Sequence, residues 1–310
     1  MKKLLSFICI VIAIIILLEP QTVTTGVKKG IELSIYSVIP ALFPFMLLTN
    51  YMISHNLCQY ISYFFYPFLS KLFHISKNGC FAVLIGFTGG YPMGAKTIND
   101  LYERNLISCS EGCYLSTFCN NCSLSFLINY VIYSCLNNQI VMDGIFPLDT
   151  KGFIALVYLP AICVGIINRF FFKKEIISDK SVSCSPKQSA NQTSVILLST
   201  ISILNLCIYV ICFSVLVEFV NGFKIKNIYK CIIVSLVEIT SGCKYTATHF
   251  PSGDLRVFII LFVCIFGGLS ITFQSLSQFK NKSFMKYYII GKIETLVIFT
   301  VIFAILFLPC

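Results

Sequence analysis

A chain of 310 residues that is 57% hydrophobic and only 12% charged has too little polar side-chain surface for a soluble domain. The composition therefore predicts an all-α, polytopic integral membrane protein, with the lipid bilayer as its first partner. The formal net charge is +10, but Lys and Arg occur in short clusters between apolar runs, as in cytoplasmic loops. No basic groove with interleaved aromatic residues is indicated, so we exclude nucleic acid as a partner.

Residues 1–30 are predicted to form an N-terminal transmembrane helix and loop. Lys2 and Lys3 precede an apolar run from Leu4 to Leu18, and no small-x-small cleavage site follows this run. We therefore expect a retained helix whose N-terminus lies in the cytoplasm.

Residues 31–172 form the predicted first membrane half. Its first segment, 31–54, contains Pro40 and Pro44, so we expect a kinked helix there. The next segment, 57–73, is rich in Tyr and Phe, which is typical of the membrane interface. We expect a helix that lies in the plane of the membrane.

The stretch 80–98 interrupts the helical pattern of this half. Four glycines and Pro92 fall close together after an apolar run. Glycine costs a helix interior roughly 1 kcal/mol and proline about 3 kcal/mol. A broken backbone inside the bilayer must be buried in protein or line a polar cavity, and the free N–H groups of the helix that leaves the break suit an anion. The candidate solute contacts in this stretch are Thr88, Gly89, Gly90, Tyr91, Pro92, Gly94 and Lys96.

Three polar side chains near the break each have two interpretations. Lys96 stands four residues before Asp100 and can pair with it, or its ammonium can contact a solute, since charges within the membrane are usually functional. Asn120 and Asn121 can hydrogen-bond to a neighbouring helix or contact a solute. We favour solute contact for these two amides, because adjacent amides in the bilayer are costly without a polar partner.

Residues 173–194 are predicted to be a cytoplasmic linker, because Lys, Ser, Pro and Asn replace the apolar residues there. Residues 195–310 form the second membrane half, which loosely echoes the first. An apolar run breaks at Glu238, and a later helix contains the pair Gly267-Gly268. Interrupted segments in both halves are the best sequence indication of a transporter site. The candidates in this half are Glu238, Thr240, Ser241, Gly267, Gly268, Ser270 and Gln274.

Enzymatic and redox functions find no matching motif in the sequence. Cys119 and Cys122 have the spacing of a redox or metal pair, but no second cysteine pair accompanies them, and apolar surroundings should keep both thiols neutral. His55, His74 and His249 are not at ligand spacing, and neither a nucleophile elbow nor a Walker lysine pattern occurs. We therefore predict that the protein is not an enzyme and that it uses neither a metal nor a cofactor.

Four ordered motifs together resemble a known family: Gly89-Gly-Tyr-Pro-Met-Gly-Ala-Lys96, Cys119-Asn-Asn, Glu238-Ile-Thr-Ser-Gly242 and Phe266-Gly-Gly-Leu-Ser270. They resemble the sporulation integral membrane proteins of the YlbJ type, which have nucleoside-recognition (gate) domains. The resemblance covers most of the chain from the second predicted span onward. It departs from the family pattern after Asn121, where Cys122-Ser-Leu replaces the usual Ser-Gly-Pro, so the role of the two amides is less firmly implied.

The resemblance implies a nucleoside-transporter-like fold with two pseudo-repeated halves and broken or re-entrant helices. It also implies transport of dipicolinate toward the forespore, across the mother-cell-derived membrane that surrounds it. A second copy of the chain or other sporulation membrane proteins are further candidate partners. A nucleoside or another small solute, or a non-transporting scaffold role in a sporulation complex, are the alternatives.

Dipicolinate is a small planar dianion, and the expected site follows from its two carboxylates. Half-helix N-termini at the two breaks, the Lys96 ammonium and the amides of Asn120 and Asn121 would bind them. Glu238 does not fit as a direct ligand of a dianion. It would instead carry a coupling proton or pair with Lys96 in the empty site.

Overall fold

A computed structural model describes residues 14–137, 149–179 and 192–307 of the chain. Over these ranges the regular structure is helical, with no strand. The predicted all-α, polytopic membrane fold is confirmed. The segments that are long and apolar enough to cross a membrane are Pro20–Ser54, Thr150–Phe172, Val195–Gly222, Asp254–Gln278 and Lys282–Phe307.

The first half is built from short and interrupted helices, followed by one long helix. In chain order these are α1 (Pro20–Leu33), a π-helical turn (Ser34–Val38), α2 (Ile39–Ser54), α3 (Cys58–Phe73), α4 (Lys77–Thr88), α5 (Met93–Glu103), α6 (Cys109–Ser116), a π-helical segment (Phe126–Cys135) and α7 (Thr150–Asp179). The second half begins and ends with long helices and has two broken ones between them. These are α8 (Gln192–Gly222), α9 (Asn227–Val237), α10 (Ile239–His249), α11 (Asp254–Phe266), α12 (Gly268–Gln278) and α13 (Lys282–Phe307).

A π-helical turn lies between α1 and α2, within the segment 31–54 for which the sequence predicts a kink, and the bend itself stays a prediction. This turn ends directly before α2, which has Pro40 in its first turn and Pro44 in its interior. Proline has no N–H group to donate to the preceding turn, so the regular hydrogen-bond ladder cannot continue through this region.

The long helix α8 runs antiparallel to α1 and α2. At one end Gly26 lies against Val215, where a Cβ atom on the glycine would come within 2.6 Å of the Val215 Cα. At the other end the side-chain amide of Asn50 donates a hydrogen bond of 2.6 Å to Ser199 Oγ. Small residues allow such close contact between membrane helices, and the amide–hydroxyl bond stabilises the pairing.

Helix α3 carries a row of exposed aromatic side chains, including Tyr60, Tyr63, Phe64 and Phe68. Its 16 residues are too few to span a bilayer. A helix at this position is confirmed, and its in-plane orientation stays a prediction.

The apolar core has two main clusters, and α13 contributes to both. Tyr114 and Phe118 pack with Phe284 in the first half, whereas Ile260 packs with Phe299 in the second. Because α13 crosses both clusters, it fixes the two halves to each other.

The predicted linker differs from the structure at its N-terminal end. Helix α7 continues to Asp179, through the first residues assigned to the linker, since Lys and Glu in this stretch are good helix formers. Residues 180–191 lie outside the described part of the chain, as do residues 1–13 of the predicted first helix. The division of the chain into domains stays a prediction.

Candidate functional site

The predicted break in the first half lies between α4 and α5. Helix α4 ends at Thr88 and α5 begins at Met93, with Gly90 at a φ of 76°. A positive φ of this kind is readily adopted by glycine and by few other residues. The loop between the two helices is therefore a real interruption of the helical backbone.

This break packs against the extended segment that follows α6. A Cβ atom on Gly86 would lie 1.8 Å from the carbonyl oxygen of Cys119, and one on Gly94 would lie 2.0 Å from the same oxygen. The amide of Asn120, the next residue, accepts a hydrogen bond of 3.3 Å from the Ala95 backbone N–H. The two interruptions of the first half are thus in direct main-chain contact.

The second half has two breaks that also meet. Glu238 separates α9 from α10, and its carboxylate accepts hydrogen bonds from the backbone N–H groups of Thr240 (2.9 Å) and Ser241 (2.6 Å). A carboxylate at this position satisfies free donors at the N-terminus of α10 and interacts favourably with the helix dipole. Gly267, at a φ of 84°, separates α11 from α12, and a Cβ atom on Gly268 would lie 3.3 Å from the Glu238 backbone nitrogen.

A cavity of about 550 Å³ lies between these breaks and the α1–α2 segment. Six residues predicted from the sequence line it: Thr88, Gly89, Tyr91, Glu238, Thr240 and Gln274. The sequence did not identify the other polar lining residues, which include Ser123, Ser125, Asn129 and Tyr130. Apolar residues also line the cavity, including Pro40, Pro44, Phe45 and Phe126.

The cavity wall is polar but carries little charge. Among its described lining residues, Glu238 is the single carboxylate, and Lys, Arg and His are absent. Hydroxyl and amide groups, such as those of Tyr130, Asn129 and Gln274, supply the remaining polar atoms. Gln274 donates a hydrogen bond of 2.9 Å to Ser270 Oγ, which orients its side chain at the wall.

Lys96 does not line this cavity. Its ammonium is buried and donates hydrogen bonds to the Asp100 carboxylate and, at 2.8 Å, to Asn50 Oδ1. The pairing with Asp100, left open by the sequence, is therefore the arrangement observed. The expected pairing of Lys96 with Glu238 is not found, because the Glu238 carboxylate caps its own helix.

The two adjacent amides also lie outside the cavity lining. The Asn120 side chain donates a hydrogen bond of 2.7 Å to Ser275 Oγ on α12, and that of Asn121 donates one of 2.7 Å to the Phe118 carbonyl. The favoured solute contact is thus replaced by hydrogen bonds within the protein, because a neighbouring helix supplies the partner of Asn120 and the local backbone supplies that of Asn121. The other predicted residues, Gly90, Pro92, Gly94, Ser241, Gly267, Gly268 and Ser270, form or flank the breaks without lining the cavity.

The sequence analysis missed Lys292, a buried cation in the middle of α13. Its ammonium donates hydrogen bonds to the Tyr91 hydroxyl and, at 2.9 Å, to the Ile265 carbonyl. Lys292 stands within an apolar span, two residues before Glu294, and this was the available signal, since intramembrane charges are usually functional.

A second cavity, of about 530 Å³, adjoins the first, because Leu33, Ser37, Tyr130 and Thr240 line both. Its outer part is charged and includes Lys29, Glu32, Glu218, Lys244 and His249. Lys29 and Glu218 form an ion pair of 2.7 Å at the end of α8 away from the predicted linker. We call the first of the two cavities the central cavity, and it adjoins this charged second cavity.

Comparison with known proteins identifies a distant relative that is also a membrane protein. The chain is 27% identical, over 157 residues, to the sporulation integral membrane protein YlbJ of Bacillus subtilis (strain 168). The match covers 51% of this chain and 36% of that protein, so it spans little more than a third of the relative's length. No family model matches the chain. No solved structure matches it either.

Proposed function

We propose that this protein is a secondary or passive transporter of a small polar solute, with dipicolinate moved toward the forespore as the first candidate. The observation that carries the proposal is the meeting of interrupted helices from both halves at one cavity of about 550 Å³. Substrate sites of secondary transporters lie at such repeat interfaces and are formed by discontinuous helices. The distant relative is a sporulation membrane protein, which supports a role in spore formation. The membrane around the forespore is part of the proposal.

The dimensions and walls of the cavity suit a small planar molecule. Its volume lies within the roughly 300–1,000 Å³ range of small-molecule sites. An aromatic ring would pack against Phe45 and Phe126, whereas Asn129, Tyr130 and Gln274 would bind polar substituents.

A nucleoside is a second candidate, and the charge of the cavity favours it. Glu238 is the one charged side chain among the described residues of the wall, and a fixed carboxylate opposes a dianion. An uncharged ring with hydroxyl groups would use the same amide and hydroxyl partners without that penalty. Dipicolinate would need its charge offset by protons or by helix N-termini.

Flux into proteoliposomes tests these candidates directly. Purified protein is reconstituted, and uptake of labelled dipicolinate is measured with and without unlabelled nucleosides as competitors. We expect dipicolinate uptake that depends on the protein and is not reduced by nucleosides. Nucleoside uptake without dipicolinate uptake would show that the substrate is a nucleoside and not dipicolinate. A folded protein that transports neither would support the scaffold alternative.

A matched pair of variants on α12 links flux to the cavity. Gln274→Leu removes polar atoms from the wall, and Gln278→Leu makes the same change one turn later, outside the lining. Loss of hydrogen bonds worth about 1.4 kcal/mol corresponds to about tenfold in affinity. We therefore expect the substrate concentration that gives half-maximal flux to be about tenfold higher for Gln274→Leu and unchanged for Gln278→Leu. Equal effects of the two changes would contradict the assignment of the cavity.

A further inference from the structure

The ammonium of Lys292 lies at the C-terminal end of a broken helix. Helix α11 ends at Phe266, and the carbonyls of its last turn have no regular helical partner beyond Gly267. The Ile265 carbonyl accepts a hydrogen bond of 2.9 Å from Lys292 Nζ and one of 2.7 Å from the Tyr91 hydroxyl. The Tyr91 hydroxyl lies 3.3 Å from the Cys264 carbonyl as well.

The surroundings of this ammonium are those of a cation site. One backbone carbonyl, that of Ile265, and the Tyr91 hydroxyl accept hydrogen bonds from the ammonium, and the negative end of the α11 dipole lies at that carbonyl. The Nζ atom lies 4.3 Å from the centroid of the Tyr91 ring and 5.9 Å from that of Tyr288, which adds cation–π attraction. Among the described residues, no carboxylate forms an ion pair with Lys292.

In secondary transporters, unwound carbonyls and half-helix C-terminal ends coordinate the coupling cation. In this protein, the Lys292 ammonium occupies the same kind of position, at the C-terminal end of a half-helix. The contact also joins the two halves, since Tyr91 belongs to the first-half break, and both α11 and α13 belong to the second. Tyr91 lines the central cavity, so the ammonium fixes a residue of the cavity wall.

We propose that Lys292 is a tethered cation that takes the place of a bound monovalent metal ion and holds the end of α11 against Tyr91. Truncating the side chain would leave carbonyl and hydroxyl oxygens around an empty position. A small cation from solution, such as Na⁺, K⁺ or methylammonium, would then bind there. Lys292 is a positioning residue in this account, because it acts on the cavity through Tyr91.

Thermal unfolding of purified protein in detergent tests the proposal without any transport assay. The variant Lys292→Ala is measured in choline chloride and in NaCl, KCl and methylammonium chloride at equal ionic strength. We expect its Tm in choline to fall by at least about 5 °C relative to the parent. We also expect at least one of the three small cations to restore part of the loss in a saturable way. The parent should show the same Tm in all four salts.

Two control variants separate a cation site from a general effect of charge. Lys286→Ala removes an exposed ammonium from the same helix and should show neither the loss nor the salt dependence. Lys292→Arg keeps a cation and should remain independent of the salt. A Lys292→Ala protein that is destabilised equally in every salt would overturn the proposal. If Lys292→Ala yields no folded protein in any salt, Lys292→Gln decides the matter: small-cation dependence supports the proposal, and salt independence overturns it.

One consequence rests on the proposed function. If the protein transports dipicolinate, parental flux should be equal in NaCl and choline chloride, because no metal ion binds at this position. Flux through Lys292→Ala should be stimulated by the cation that restores its stability. Absence of flux in every protein would remove the proposed function and leave the unfolding result intact.

Discussion

The two halves of the protein hold their broken helices in different ways. In the first half, Gly86 and Gly94 lie directly against the Cys119 carbonyl, so the contact is between main chains and leaves no space for a side chain. In the second half, the Glu238 carboxylate caps α10, and Gly268 approaches its backbone less closely. Gly242 of α10 also lies against Ser235 of α9, since an added Cβ would come within 2.5 Å of the Ser235 Cα. The first-half contact is purely steric, whereas the second-half break combines a steric contact with a charged cap.

This difference indicates which half can respond to a solute. The Cys119 carbonyl is buried behind the break and does not line the cavity, whereas the Glu238 carboxylate lies in the cavity wall. A change of charge or a bound ligand in the cavity can alter the second contact directly. We therefore expect the first half to act as a rigid support and the second to respond.

The largest expected effect is that of Gly94→Ala. Its Cβ would lie 2.0 Å from the Cys119 carbonyl oxygen, and a main-chain atom cannot move aside as a flexible side chain can. We expect a loss of stability beyond the ~1–3 kcal/mol of ordinary overpacking, seen as little monodisperse protein in size-exclusion chromatography. Gly222→Ala is the control, because nothing lies within 4 Å of its added Cβ.

The equivalent change in the second half sharpens the comparison. Gly268→Ala places a Cβ 3.3 Å from the Glu238 backbone nitrogen, with strain from a φ of 72°. A left-handed conformation costs a residue other than glycine about 1–2 kcal/mol. We expect a folded protein with a lowered Tm. A greater loss for Gly268→Ala than for Gly94→Ala would contradict the steric difference between the halves.

An intermediate effect is expected for Lys96→Met. The change leaves the Asp100 carboxylate without its ammonium, but the Asp100 side chain is 25% exposed, so water compensates in part. We expect a loss of about 1–3 kcal/mol, below the roughly 3–5 kcal/mol of a fully buried pair. Thermal unfolding measures the loss, and flux per folded molecule should be preserved.

Lys280→Met is the matched control, since it breaks an exposed pair with Glu103 and should cost only about 0–1 kcal/mol. A Lys96→Met protein with parental stability and no flux would place Lys96 in the solute site after all.

A smaller loss of stability is expected for Glu238→Gln. The glutamine oxygen can still accept a hydrogen bond from the α10 N-terminus, so only the charge and one acceptor are lost, at about 0.5–1 kcal/mol. Glu238→Ala removes both acceptors and should cost about 1–2 kcal/mol. If Glu238 carries a coupling proton, Glu238→Gln should abolish stimulation of flux by a pH gradient while Tm changes little. Unchanged stimulation would exclude that role.

The sequence predicted the interruptions of the fold better than the partners of its polar groups. The breaks at Gly89–Gly94 and Glu238 are local, because glycine, proline and a capping carboxylate act on their own segments. Whether the Lys96 ammonium faces a solute or Asn50 depends on how α2 packs beside α5. That packing involves residues distant in the chain, and no local pattern encodes it.

The contact between Tyr91 and Lys292 is a clearer example of a long-range contact that the sequence does not reveal. Two residues that are 201 positions apart in the chain meet at the end of a third segment, the α11 helix. Hydropathy correctly predicts a span around Lys292, but an average over the span hides the individual charged residues.

The last prediction concerns transport rather than stability: the double change of Cys119 and Cys122 to serine should have little effect on flux. Both side chains are buried, and the cysteines are free thiols. Their polar contacts include two through the main chain: the Cys119 carbonyl faces the two glycines, and the Cys122 carbonyl accepts a hydrogen bond of 2.7 Å from Tyr158. Their side chains pack in the two apolar clusters, and Cys122 also lines the cavity. Serine keeps both carbonyls in place and is slightly smaller than cysteine. The remaining cost is that of burying two hydroxyls, which we expect to be about 1–3 kcal/mol in total when backbone carbonyls are within their reach.

Flux per folded molecule should therefore stay within about threefold of the parent, and Cys109→Ser, at an exposed position, should have no effect. Abolished flux with an unchanged Tm would show that the thiols themselves act, and the first-half contact would then not be a matter of main-chain packing alone.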